Sequence, residues 1–197
     1  MTVDRSEAAG TVKFLFEAGV LRNIPRTGWG YDGIQHAETV AEHSHRTTIV
    51  GAVLASMEGA DPARTALLGA LHDTQEARIG DVTPLGRRYV QVADNRSVTA
   101  EQLAGAHPAV RAALEGAVDE YETGETPEAR CARDADKLDC LLRALEYQHQ
   151  GYVSVQGKVE RCYAALKTAS AKQLADAALG MAPTDWQEAT FPSGTRR

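Results

Sequence analysis

Apolar residues recur three and four positions apart in one segment of this chain after another, and that spacing constrains the fold most. Val40, Thr47, Val50, Leu54 and Met57 form one such stripe, and Leu138, Leu141, Leu142 and Leu145 form another. Several of these segments open on helix-start signals. Asp61-Pro62 and Thr126-Pro127 each place a capping side chain directly before a proline in the first turn. Ala and Leu are abundant while aromatics make up 6% of the residues, which favours helix over sheet. The expectation is an all-α bundle in a single domain, and 197 residues are enough to bury a real core.

The spacing predicts helices over about Ser6–Gly19, with Ser6 as cap, and over Glu38–Met57, with an ordered Gly/Pro/Arg-rich loop at Val20–Ala37 between them. Further helices are expected from Asp61 to His72-Asp73, over Thr74–Ile79 closed by Gly80, from Ser97 onward, over Pro108–Thr123, from Thr126 to about Gln150, and over Ser154–Thr168 and Ser170–Met181. The stretch Asp81–Asp94 reads as loop with a turn near Arg87. Residues 1–181 are read as the domain and 182–197 as a frayed tail in which Trp186 and Phe191 dock on the body.

The charge balance excludes some classes of function. A net charge of −6 argues against non-specific nucleic-acid binding, which needs a basic face. A small anionic substrate is still compatible, since a metal ion and a few arginines can reverse the potential of one pocket. No apolar run reaches the length of a membrane span, and the first residues lack a secretory layout, so a cytoplasmic location is expected. Cys131, Cys140 and Cys162 have no zinc-finger or CxxC spacing and read as structural thiols.

The residues that carry chemistry are His43, His72, Asp73, Glu76, Asp81 and Asp136. His43 falls on the apolar stripe of its helix. His72 and Asp73 are adjacent at a helix end, and an ion placed off that end can be reached by both. Asp136 lies in RDADKLDCLL beside a leucine-rich face, where a carboxylate needs a partner. Imidazole plus carboxylate suits a divalent transition metal. The same residues also admit a plain structural reading, with His43 as a hydrogen-bonded core residue and Asp136 paired to Arg143 or Lys137.

The runs RNIPRTGW, ETVAEHSHR, LHDTQEARIGDVTP and ARDADKLD resemble the HD-domain metal-dependent phosphohydrolases, specifically the 5'-deoxynucleotidases and HD domain-containing protein 2 relatives, over about Phe14–Gln150. The resemblance implies one divalent metal (Mn, Co, Fe, Zn or Mg) on His43, His72, Asp73 and Asp136. It implies Glu76 and Asp81 as catalytic acids. Arg26 and Trp29 are implied as phosphate and sugar contacts, although Thr27-Gly28 separate them here where the bacterial enzyme has them adjacent. Arg22 competes for the phosphate role, and Thr83 adds a hydroxyl. The implied activity is phosphate release from nucleoside 5'-monophosphates, with deoxynucleotides foremost, by a homodimer. The alternatives are a phosphatase of a modified or pathway-specific nucleotide, or a non-catalytic metal- or nucleotide-binding module. Of the remaining histidines, His36, His45, His107 and His149, only His107 lies between Asp73 and Asp136, which disfavours the two-metal members of the superfamily. Ala77 stands where guanosine tetraphosphate hydrolases carry an acid in HDxxED.

Overall fold

The computed structural model of the chain describes residues 4–190, which form a helical bundle. In chain order the helices are α1 (Arg5–Ala18), α2 (Val40–Glu58), α3 (Pro62–Leu71), α4 (Glu76–Ile79), α5 (Asn95–Gln102), α6 (Pro108–Thr123), α7 (Pro127–His149), α8 (Gln156–Ala165), α9 (Ala169–Leu179) and α10 (Asp185–Thr190). The only β-type pairing among the described residues is an isolated bridge between Pro25 and Thr39.

Local chemistry sets the helix ends. Thr39 and Glu42 close a reciprocal capping box at the start of α2, and Gly59, at φ 73°, stops it in the left-handed conformation. Asp61 caps α3 through the amides of Ala63 and Arg64, and Thr126 caps α7 through Ala129, each followed by proline as the sequence implies. At α1 the cap is Asp4, whose carboxylate accepts from the Ser6 amide. The cap therefore lies two residues before the expected Ser6.

The core is the junction of α2, α3 and α7. Leu54, Leu68, Leu138 and Leu141 are fully buried there, and α8 and α9 cover the far side of α7 through Val159, Cys162 and Ala175. Gly69 permits α2 and α3 to approach closely, since a Cβ at that position would lie 3.3 Å from the Thr47 carbonyl oxygen. That approach brings the end of α3 against the middle of α2.

Some expectations shift. Met57, assigned to the α2 stripe, is 49% exposed, because the buried face of α2 runs through Val50, Gly51, Leu54 and Ala55 and Met57 falls at its edge. The loop after α1 is ordered by two 3₁₀ turns, Gly19–Asn23 and Thr27–Asp32. Residues 185–190 of the expected tail are helical, and Trp186 is exposed instead of docked. Phe191 lies outside the described residues. No described helix is long and apolar enough to cross a membrane.

Candidate metal centre

The two histidines reach the same point from different helices. His43 is fully buried on α2, and His72 follows the last turn of α3. The Nδ1 of His43 lies 2.6 Å from Asp139 Oδ2, and the Nδ1 of His72 lies 2.7 Å from the Gly69 carbonyl oxygen. A carboxylate and a carbonyl only accept, so both rings carry their proton on Nδ1. Both Nε2 atoms then present lone pairs, and they face each other at 3.2 Å. Two lone pairs at that distance repel unless a proton or a cation lies between them.

Carboxylates complete the cluster. Asp73 Oδ2 is 3.0 Å from His72 Nε2 and 3.7 Å from His43 Nε2. Asp136 Oδ1 is 3.3 Å from His43 Nε2, while its Oδ2 accepts from Lys137 Nζ at 2.7 Å. His43, His72 and Asp73 each offer a ligand atom within 4.8 Å of the others, and Asp136 joins them through His43. Two imidazole nitrogens and two carboxylates form a donor set suited to a divalent transition metal.

The electrostatics agree with this reading. Burial opposes a charge on His43, but Asp136 and Asp139 outweigh it and lift the imidazole to about 9. Burial likewise opposes charge on Asp73 and Asp136. His72 and Arg26 nevertheless hold Asp73, and His43 and Lys137 hold Asp136, below the usual carboxylate range. The cluster thus attracts positive charge strongly, and a proton on His43 is its form in the absence of a metal.

Asp139 was missed as a functional position by the sequence reading. It is fully buried one helical turn after Asp136, and besides His43 it accepts from Arg46, which also bonds Glu146. Its signal was visible as an acid at i+3 from Asp136 on the same leucine-lined face. A second group of possible ligands, Glu38, His43 and Asp139, shares His43. Its atoms are already engaged: Glu38 accepts from Trp29 Nε1 at 3.1 Å and faces Arg143 Nε at 3.4 Å. This group supports the first one.

A cavity of about 640 Å³ opens beside the cluster. Glu76 lines it as the first residue of α4. The carboxyl is buried, Oε2 finds no hydrogen-bond partner among the described residues, and burial together with Asp73 and Asp81 pushes it up to about 9. Gly80 ends α4 at φ 75°, ψ 167°, a backbone conformation open to glycine, and so turns Asp81 toward the cavity. Asp81 Oδ2 accepts from the Thr27 amide at 2.7 Å, and its carbonyl oxygen accepts from Thr27 Oγ1 at 2.5 Å. These bonds and the Pro25–Thr39 bridge hold the loop that carries Arg26, whose Nη1 is 3.0 Å from Asp73 Oδ2. Thr83 is at the wall. Trp29 reaches the lining but is 2% exposed, packed 5.0 Å from the Tyr147 ring. Arg22 is exposed and is not among the lining residues. The structure thus brings His43, His72, Asp73, Asp136, Glu76, Asp81, Arg26 and Thr83 together. It leaves Trp29 mostly in the core and Arg22 apart. Lys158 and Tyr31 also line the cavity and were not singled out from the sequence.

Comparison with known proteins gives consistent results. A family profile described as HD domain matches residues 18–178. A mouse protein named 5'-deoxynucleotidase HDDC2 is 30% identical over 142 residues, 71% of each chain. A Schizosaccharomyces pombe protein named 5'-deoxynucleotidase hdd1 is 27% identical over 154 residues, covering 75% of this chain and 77% of its own. Among solved structures, a conserved hypothetical protein from Pyrococcus furiosus superposes with a TM-score of 0.69 at 25% identity, over 87% of this chain and all of its own.

Proposed function

The chain belongs to the HD domain family, and on that premise we propose that it is a metal-dependent phosphomonoesterase acting on nucleoside 5'-monophosphates, deoxynucleotides foremost. The observation that carries this reading is the facing Nε2 pair of His43 and His72, flanked by Asp73 and Asp136 at the edge of a cavity that also holds Glu76 and Arg26. The names of the mouse and yeast relatives support the choice of substrate.

His43, His72, Asp73 and Asp136 would hold one divalent cation. When bound, such an ion supplies Lewis-acid stabilisation of a phosphoryl oxygen and lowers the pKa of water. The other roles fall to side chains of the chain itself. Arg26, fixed by Asp73, turns its remaining N–H groups to the phosphate and neutralises charge that develops during transfer. Glu76 Oε2, free of partners, is placed to accept the proton of the attacking water, and a cation held beside it would favour the ionised carboxylate that this role needs. Asp81 keeps the Arg26 loop in place through Thr27 and has Oδ1 left to face the substrate. Thr83 Oγ1 lies at the wall for a polar contact.

The reading includes a cytoplasmic location and a homodimer, and the homodimer is supported by exposed Leu179, the last residue of α9, and Met181 just beyond it. Light scattering coupled to gel filtration tests that part. Phosphate release from a panel of deoxy- and ribonucleotides with Mn²⁺, Co²⁺ or Mg²⁺ tests the activity. Release from 5'-monophosphates that disappears in His72→Ala is expected, and no release from any nucleotide contradicts the reading.

A further inference from the structure

We propose that Tyr31 is the platform on which the nucleobase stacks, with Arg161 facing the same space; this rests on the nucleotidase reading above. Tyr31 and Trp29 belong to one 3₁₀ turn and both line the cavity, but Trp29 is 2% exposed and Tyr31 is 67% exposed. An aromatic ring left in the open at a cavity wall offers a face that nothing in the fold covers.

The ring is held in place. Its hydroxyl lies 3.4 Å from Thr83 Oγ1, and Thr83 Oγ1 in turn accepts from the Gly86 amide. The backbone beside it is pinned as well. Lys158 Nζ donates to Asp32 at 2.5 Å and to the Gly28 carbonyl oxygen at 2.7 Å, and Ser154 Oγ donates to the Asp32 carbonyl oxygen. Tyr31 is thus fixed from both ends of its turn, and a preorganised ring loses little freedom when a ligand stacks on it.

Arg161 lies one turn along α8 from Lys158 and lines the same cavity. Of the other cations that line the cavity, Arg26 has Asp73, Lys137 has Asp136 and Lys158 has Asp32, while Arg87 donates to the Val82 carbonyl oxygen. Arg161 has no carboxylate partner among the described residues. Its Nη1 lies beside Gly157, 3.2 Å from where a Cβ at that position would be. Planar guanidinium groups stack on aromatic faces and donate to ring acceptors.

The division of the cavity supports the assignment. Arg26, Glu76 and the metal cluster occupy the reacting end, and a volume of about 640 Å³ accommodates far more than a phosphate. No Asn or Gln lines it, so the π face of a base is left to Tyr31 and its ring acceptors to Arg161.

The test compares deoxyadenosine 5'-monophosphate with deoxyribose 5-phosphate, which has no base, in the Mn²⁺-loaded full-length protein. Stacking on an aromatic side chain corresponds to roughly 5- to 150-fold in affinity. Wild type is expected to favour the nucleotide by about tenfold or more in kcat/KM, mainly through KM. Tyr31→Ala should bring that ratio close to one, Tyr31→Phe and Tyr31→Trp should keep it, and Arg161→Ala should reduce it. A ratio unchanged in Tyr31→Ala, or an equal fall on both substrates, overturns the inference, because the second outcome means that Tyr31 only braces the wall. Absence of phosphate release from every nucleotide by wild type overturns the functional reading, and the inference with it.

Discussion

The Nε2 atoms of His43 and His72 face each other at 3.2 Å, and each ring is locked in that orientation by the hydrogen bond its Nδ1 donates. In a protein without metal this arrangement holds together through a proton, since Asp136 and Asp139 lift His43 despite its burial. A divalent cation takes over the proton's place and relieves the same repulsion. Metal binding near neutral pH should therefore release a proton, seen as calorimetric heats that depend on the ionisation enthalpy of the buffer.

The stability of the metal-free protein should fall as pH rises. Burial opposes the charged form of His43, but its carboxylate neighbours raise it from 6.5 to about 9; burial, with Asp73 and Asp81, raises Glu76 from 4.5 to about 9. Both groups hold a proton in the fold that the unfolded chain has already given up. Their contribution is complete below the unfolded values and is lost as pH climbs through about 9. Between pH 7 and 9.5 the thermal midpoint should drop by several degrees, as each kcal/mol shifts it by about 2–4 °C in a chain of this size. Saturating Mn²⁺ should flatten the slope. Scanning calorimetry decides, and a flat profile without metal contradicts the assignment.

Asp139→Asn should weaken metal binding by about 10- to 100-fold, the usual consequence of losing the carboxylate behind a ligating imidazole. Competition with a chromogenic chelator measures this without reference to turnover. Wild-type affinity in that variant would mean that Asp139 serves packing alone.

Glu76→Gln and Arg26→Ala should affect different parameters. Removing the proton acceptor should lower kcat by about 10²- to 10⁴-fold while leaving metal affinity near wild type. Removing Arg26 should also lower kcat/KM, and Arg26→Lys should not rescue it, because a point charge cannot hold Asp73 and the phosphate in one planar fork. Steady-state kinetics alongside chelator competition separate the two.

Gly10→Ala tests the packing of α1. A Cβ there would lie 1.7 Å from the Gly105 carbonyl oxygen, so α1 must move off the turn after α5. Urea unfolding should show a loss of about 1–3 kcal/mol or more, with unchanged metal affinity.

Much of this molecule is legible in its sequence because the signals are local. Capping residues and prolines mark α3 and α7, and the three-and-four spacing marks the buried face of α7. The positions of the four proposed ligands stand out, with His43 on an apolar stripe, His72-Asp73 at a helix end and Asp136 beside a leucine-rich face, but their grouping as one ligand set rests on the resemblance of the surrounding runs to the HD-domain phosphohydrolases. Asp139 lies in the same run as Asp136, yet its bond to His43 spans 96 residues and no spacing rule reports it. Trp29 was read as a sugar contact, but its indole N–H turns inward to Glu38, a buried carboxylate that looks like any helix-start acid in the sequence. Tyr31 and Lys158 become visible only when the loop and α8 meet, through a bond spanning 126 residues.

The most direct measurement is an anomalous-difference map from crystals of the Mn²⁺-loaded protein. One peak per chain is expected, bonded to Nε2 of His43 and His72 and to carboxylate oxygens of Asp73 and Asp136. No peak at that point, or a peak among Glu38, His43 and Asp139 with Asp136 uninvolved, would contradict the account.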